Sequence, residues 1–72
     1  MIQATTLNQI GMLQECADLE SNGYTCVIRH VEDKWWYFKY RHRSNGRTIV
    51  AQWKPNYYSL KEGSKILKEV SD

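Results

Sequence analysis

The sequence predicts an α+β domain: a three-stranded antiparallel sheet with an N-terminal and a C-terminal helix, in the order α-β-β-β-α. Three observations predict it. Apolar residues recur at helical spacing within residues 6–21. Residues 24–53 are rich in Tyr, Trp, Val, Ile and Thr, with polar breaks at Glu32-Asp33-Lys34 and Ser44-Asn45-Gly46. Ser59 with Glu62 then forms a capping pattern ahead of another apolar stripe. At 72 residues the chain is one domain, 1–72, near the lower size limit for folding without staples. Its 42% hydrophobic content and nine aromatics exclude a disordered chain.

In the first helix Leu7, Ile10, Leu13 and Ala17 form the apolar stripe, with Cys16 beside them. Thr6 and Gln9 fit a capping box, and Asn22-Gly23 is a suitable C-terminal stop. Gly11 costs about 1 kcal/mol relative to Ala inside a helix, and allows close packing against the sheet. Gln14, Glu15, Asp18 and Glu20 are read as the exposed face, whose acidity argues against phosphate binding there.

The strands are expected at 24–31, 35–43 and 47–53. A two-residue turn at Asn45-Gly46 pairs Tyr40 with Ala51 and Phe38 with Trp53. A three-residue loop at 32–34 pairs Val31 with Trp35, Ile28 with Phe38 and Cys26 with Tyr40. A two-residue turn at 33–34 is disfavoured because it sets Ile28 beside Lys39 and brings a cation to the core. One face then carries Cys26, Ile28, Trp36, Phe38, Tyr40, Ile49, Ala51 and Trp53, which is a core. After Lys54-Pro55-Asn56 ends the third strand, the second helix begins near Ser59, with Leu60, Gly63, Ile66, Leu67 and Val70 as its stripe.

Two narrow helical stripes on one sheet face leave the other face open. That face places Trp35, Tyr37, Val27 and Val50 among Arg29, Lys39, Arg41, Arg43 and Gln52. Charge is asymmetric as well: residues 29–54 hold seven Lys or Arg against Glu32 and Asp33, whereas residues 1–28 hold no Lys or Arg. Cations neutralise phosphates and aromatic rings stack on bases, so nucleic-acid binding through Arg29, Trp35, Tyr37, Lys39, Arg41, Arg43 and Gln52 is the first functional reading. The alternative is protein interaction with an acidic surface or a second copy, since Trp, Tyr and Arg are enriched at interfaces. A small phage or mobile-element inhibitor, such as an anti-CRISPR or anti-restriction protein, belongs to that class. A third possibility is structural: the rings pack under a helix while the cations reach outward.

No catalytic signature, Gly-rich phosphate loop or cofactor motif is present, so the protein is read as a non-enzyme without a cofactor. Cys16 and Cys26 are expected to be buried free thiols. Together with His30 and His42, placed on the core face, they lack the spacing of a zinc site. Met1-Ile-Gln-Ala-Thr-Thr lacks the regions of a signal peptide and no apolar run spans a membrane, so a cytoplasmic location is expected.

From Trp36 onward the chain resembles the small YegP-like modules of prokaryotes, in Asn45-Gly46, Ile49, Tyr57 with Ser59, Gly63, Leu67 and Val70. The resemblance implies a short antiparallel sheet followed by a helix; Leu60 stands where that family has Lys. The strand order is also similar to the ethylene-response-factor type of DNA-binding domain, which reads the major groove with its sheet. Placing that family's second-strand Trp at Trp36 puts Arg41 at a DNA-contacting Arg, with Lys39 where the family has Glu.

Overall fold

The computed structural model describes residues 4–71, so Met1, Ile2, Gln3 and Asp72, including half of the stretch read for a signal peptide, lie outside the described residues. It contains α1 (Leu7–Ser21), β1 (Tyr24–Glu32), β2 (Trp35–His42), β3 (Thr48–Lys54), β4 (Tyr57–Glu62) and β5 (Lys65–Ser71). The strands form one antiparallel sheet in the order β1-β2-β3-β4-β5. The shortest principal extent, 18 Å, has room for one helix layer and one sheet layer.

The expected second helix is therefore corrected to a fourth and a fifth strand. Tyr57, Ser59 and Lys61 alternate with Tyr58 and Leu60, which is the two-residue period of a strand. Pro55-Asn56 makes the turn into β4, with Asn56 at φ 65°. Gly63-Ser64 makes the turn into β5: Gly63 lies at φ 60° and Ser64 does not, the combination of a type II′ hairpin turn. A helix would have placed Gly63 in its interior, where it is unfavourable.

α1 has the expected caps. The Thr6 side chain accepts from the Gln9 backbone, the Gln9 side chain accepts from Thr6, and Gly23 follows at φ 94°. Its packing face is rotated from the expected one. Asn8, Gln9, Met12 and Cys16 are buried, whereas Leu7 is 86% exposed and Ile10 and Ala17 also face outward. Gly11 sets this rotation, because it lies against Tyr58 so closely that an added Cβ would stand 3.3 Å from the ring. A side chain there would require Tyr58 to give by a few tenths of an ångström.

The core under α1 consists of Met12, Cys16, Trp36, Phe38, Tyr40, Ile49, Ala51, Trp53, Tyr58 and Leu60. Trp36 and Trp53 pack with ring centroids 5.1 Å apart. Six of the eight expected core residues are present, and Cys26 and Ile28 are not. The β2–β3 register is offset by two residues from the expected one, pairing Tyr40 with Ile49 and Phe38 with Ala51. An even shift leaves each side chain on its expected face. The loop is four residues long because the His42 N–H bonds the Arg47 carbonyl, while Asn45 Oδ1 accepts the Arg47 N–H at 2.9 Å.

At β1 the correction has more consequence. Glu32 pairs with Trp35, so the turn is the two-residue Asp33-Lys34 that the sequence disfavoured. A bulge at Val27 separates the Cys26–Tyr40 pair from the Ile28–Lys39 pair. The bulge moves Ile28 to the face opposite the helix, so its pairing with Lys39 buries no cation. It moves Arg29 and Val31 the other way, beside Phe38 and Trp36.

Candidate functional site

The sheet face opposite α1 is covered by no element among the described residues. Read across the strands, one row runs His30, Tyr37, Gln52, Ser59 and Glu69, and the next runs Ile28, Lys39, Val50, Lys61 and Ile66. Beyond these, Arg41 pairs with Thr48 at one end, and Lys54 pairs with Tyr57 near Trp35 at the other. The face thus has an aromatic end and a basic end.

At the aromatic end the His30 and Trp35 ring centroids lie 4.9 Å apart, and those of Trp35 and Tyr37 5.7 Å apart. The Trp35 indole N–H donates to Gln52 Oε1 at 3.2 Å. His30 is bonded to Glu32, and the Tyr57 hydroxyl donates to Glu69 at 2.7 Å. Both carboxylates of this face among the described residues, Glu32 and Glu69, are therefore engaged. Lys39, Arg41, Lys54 and Lys61 make no ion pair among the described residues. By contrast Arg47 forms a two-point pair with Glu62, and Lys68 pairs with Glu15 of α1. Those pairs hold Glu62 below its ordinary carboxylate pKa and raise Lys68, through direct hydrogen bonding in each case.

The structure brings five of the seven expected site residues together: Trp35, Tyr37, Lys39, Arg41 and Gln52. Arg29 is not among them. The bulge puts it on the helix side, with its guanidinium 6.0 Å from the Phe38 ring centroid. Arg43 lies in the β2–β3 loop, beside Ser21, Asn22, Gly23, His42 and Ser44. His42 links that loop to the end of α1, since Nε2–H donates to the Asn22 carbonyl while Nδ1 accepts from the Ser44 N–H. Lys61 was missed because its segment was read as helical, and Tyr57 because it fell between the third strand and that helix. The Gly63-Ser64 dipeptide was the signal that could have found them. His30, expected on the core face, belongs to this one.

On the other side, α1 packs against β1, β3 and β4, but residues 25–32 of β1 stay exposed. A groove of about 210 Å³ results, lined by Leu13, Cys16, Glu20, Cys26, Arg29, Phe38 and Tyr40. It falls below the roughly 300 Å³ of an ordinary small-molecule pocket. Both thiols are free, Cys16 buried and Cys26 exposed, which corrects the expectation that both are buried. Burial raises the Cys16 thiol to about 11, and raises Cys26 as well, so neither is an activated nucleophile. Among the described residues no group of three or more His, Cys, Asp or Glu is placed to hold a metal ion, and no helix is long and apolar enough to cross a membrane.

Comparison of the chain with protein-family models, with curated proteins and with solved structures finds no match.

Proposed function

We propose that the protein is a non-catalytic module that binds nucleic acid through the open face of its sheet. The observation that supports this reading is that four cations without ion-pair partners among the described residues share an uncovered face with a cluster of three rings. A polyanion would release counterions from each phosphate they contact. The rings supply the base-stacking surface that cations alone lack.

The test is a salt titration of binding to a fluorescent oligonucleotide. Four phosphate contacts predict a log–log slope of about −3, which means roughly 50-fold weaker binding between 50 and 200 mM salt. A slope near zero, or no binding at the lower salt, would remove the reading.

One observation favours a second reading, a protein partner or a second copy. β1 is a nine-residue edge strand that exposes Val27, Ile28 and Val31. Such an edge is a template for strand addition. Sedimentation of the wild type and of Ile28→Lys would separate the cases. A dimer broken by the substitution favours this reading, and a monomer in both removes the homodimer.

A further inference from the structure

We infer that the open face takes a single strand of nucleic acid in preference to a duplex; this rests on the reading just given and specifies its ligand. The first ground is width. Five strands about 4.8 Å apart separate the edge strands by roughly 19 Å. The major groove is about 12 Å wide and admits a helix or a two-stranded ribbon. Trp35, Tyr37 and the four cations stand on β2, β3 and β4, in the interior of the sheet. β1 and β5 would meet the phosphate walls before Tyr37 or Lys39 reached a base edge.

The second ground is the chemistry of the rings. Trp35 and Tyr37 offer ring surface to a base only if that base has left its own stack, and duplex bases are stacked on both sides. The third is spacing. Trp35, Tyr37, Lys39 and Arg41 follow one another at alternate positions of β2, about 6.8 Å apart. That interval is close to the phosphate spacing of an extended polynucleotide. One nucleotide fits each row, with two bases over the rings and the following phosphates over Lys39, Lys61 and Arg41.

Gln52 adds a base preference. An indole N–H can only donate, so the amide atom 3.2 Å from it is the Gln52 oxygen. The Gln52 amide then presents its N–H donors to the ligand. Thymine and uracil carry a carbonyl acceptor at the position where cytosine carries an amino donor. The face therefore favours thymine or uracil over cytosine beside Tyr37.

The experiment compares fluorescence anisotropy of the full chain with labelled oligo-dT, oligo-dC and a duplex of equal length at low salt. Oligo-dT is expected to bind roughly tenfold or more tightly than the duplex, and more tightly than oligo-dC. Trp35→Ala should weaken oligo-dT binding roughly 5- to 150-fold. Gln52→Leu should remove the difference between oligo-dT and oligo-dC. Far-UV circular dichroism checks the fold of both variants, while the wild-type comparison needs no variant. Duplex binding as tight as oligo-dT would overturn the single-strand inference and leave nucleic-acid binding standing. Equal affinity for oligo-dT and oligo-dC would overturn the role of Gln52. No binding to any of the three would remove both this inference and the reading beneath it.

Discussion

Replacing Cys16 by alanine should reduce the alkaline sensitivity of folding. Cys16 is 3% exposed in α1 and packs in the same core as Tyr40. Burial is the chief reason its pKa rises from 9.0 to about 11; Cys26, Glu20 and Glu15 add to the rise and Tyr40 opposes it. The unfolded chain thus releases this proton about two pH units before the folded chain does. Between those values the folded state holds more protons, so stability falls as pH rises. The contribution is whole below about pH 9 and lost as pH passes about 11. At about 1.4 kcal/mol per pH unit the loss is at most roughly 2–3 kcal/mol, a large share of a small domain's stability. Burial raises the Tyr40 hydroxyl as well, which acts in the same direction at higher pH. Urea unfolding from neutral pH to about pH 11, compared between wild type and Cys16→Ala as slopes, cancels the constant cavity cost of the substitution. The wild type should lose roughly 2 kcal/mol more than the variant across that range. Equal losses would mean that the Cys16 thiol does not carry the alkaline loss.

Gly63→Ala separates a hairpin from a helix at residues 59–70. At φ 60° with open space around it, the new Cβ meets only backbone strain, so a loss of about 1 kcal/mol and a fall of roughly 4–8 °C in Tm are expected, whereas a helix would gain about 1 kcal/mol. Phe38→Ala, at a ring 2% exposed, should cost roughly 3–5 kcal/mol by denaturant unfolding, and a loss below about 1 kcal/mol would place the core elsewhere. Because Arg47 holds Glu62 below its ordinary pKa, the folded state binds fewer protons there than the unfolded state in acid. The pair's contribution is therefore present at neutral pH and disappears as pH falls through the depressed Glu62 pKa. NMR of the residue 43–47 amides should follow that titration in the wild type and lose it in Glu62→Gln.

Residues 35–53 were legible because their alternation is strong. Trp36, Phe38, Tyr40, Ile49, Ala51 and Trp53 can share a face only one way, and a register error of two residues does not disturb it. Residues 57–71 were misread because Leu60 and Val70 satisfy a helical stripe and a pair of strands equally well, and Ser59 with Glu62 imitates a cap. Local pattern could not separate them; the turn at Gly63-Ser64 did. In α1 the apolar stripe pointed at Leu7 and Ile10, yet the helix turned its glycine to Tyr58 and buried Asn8 and Gln9 instead. That choice depends on a residue 47 positions away, which no helical periodicity contains. The bulge at Val27 is similar. It exchanged Arg29 for His30 on the open face, and a β-branched residue inside a strand pattern gives no sign of a bulge.

The claim that one face of the sheet is the binding surface is tested most directly by moving charge on the two faces separately. Oligonucleotide affinity is measured against salt for the wild type, for Lys39→Ala with Lys61→Ala, and for Arg29→Ala. The double variant should flatten the log–log slope by about 1.4 and weaken binding, while Arg29→Ala should leave both close to wild type. A slope that Arg29→Ala flattens and the double variant leaves unchanged would put the binding surface on the helix side of the sheet.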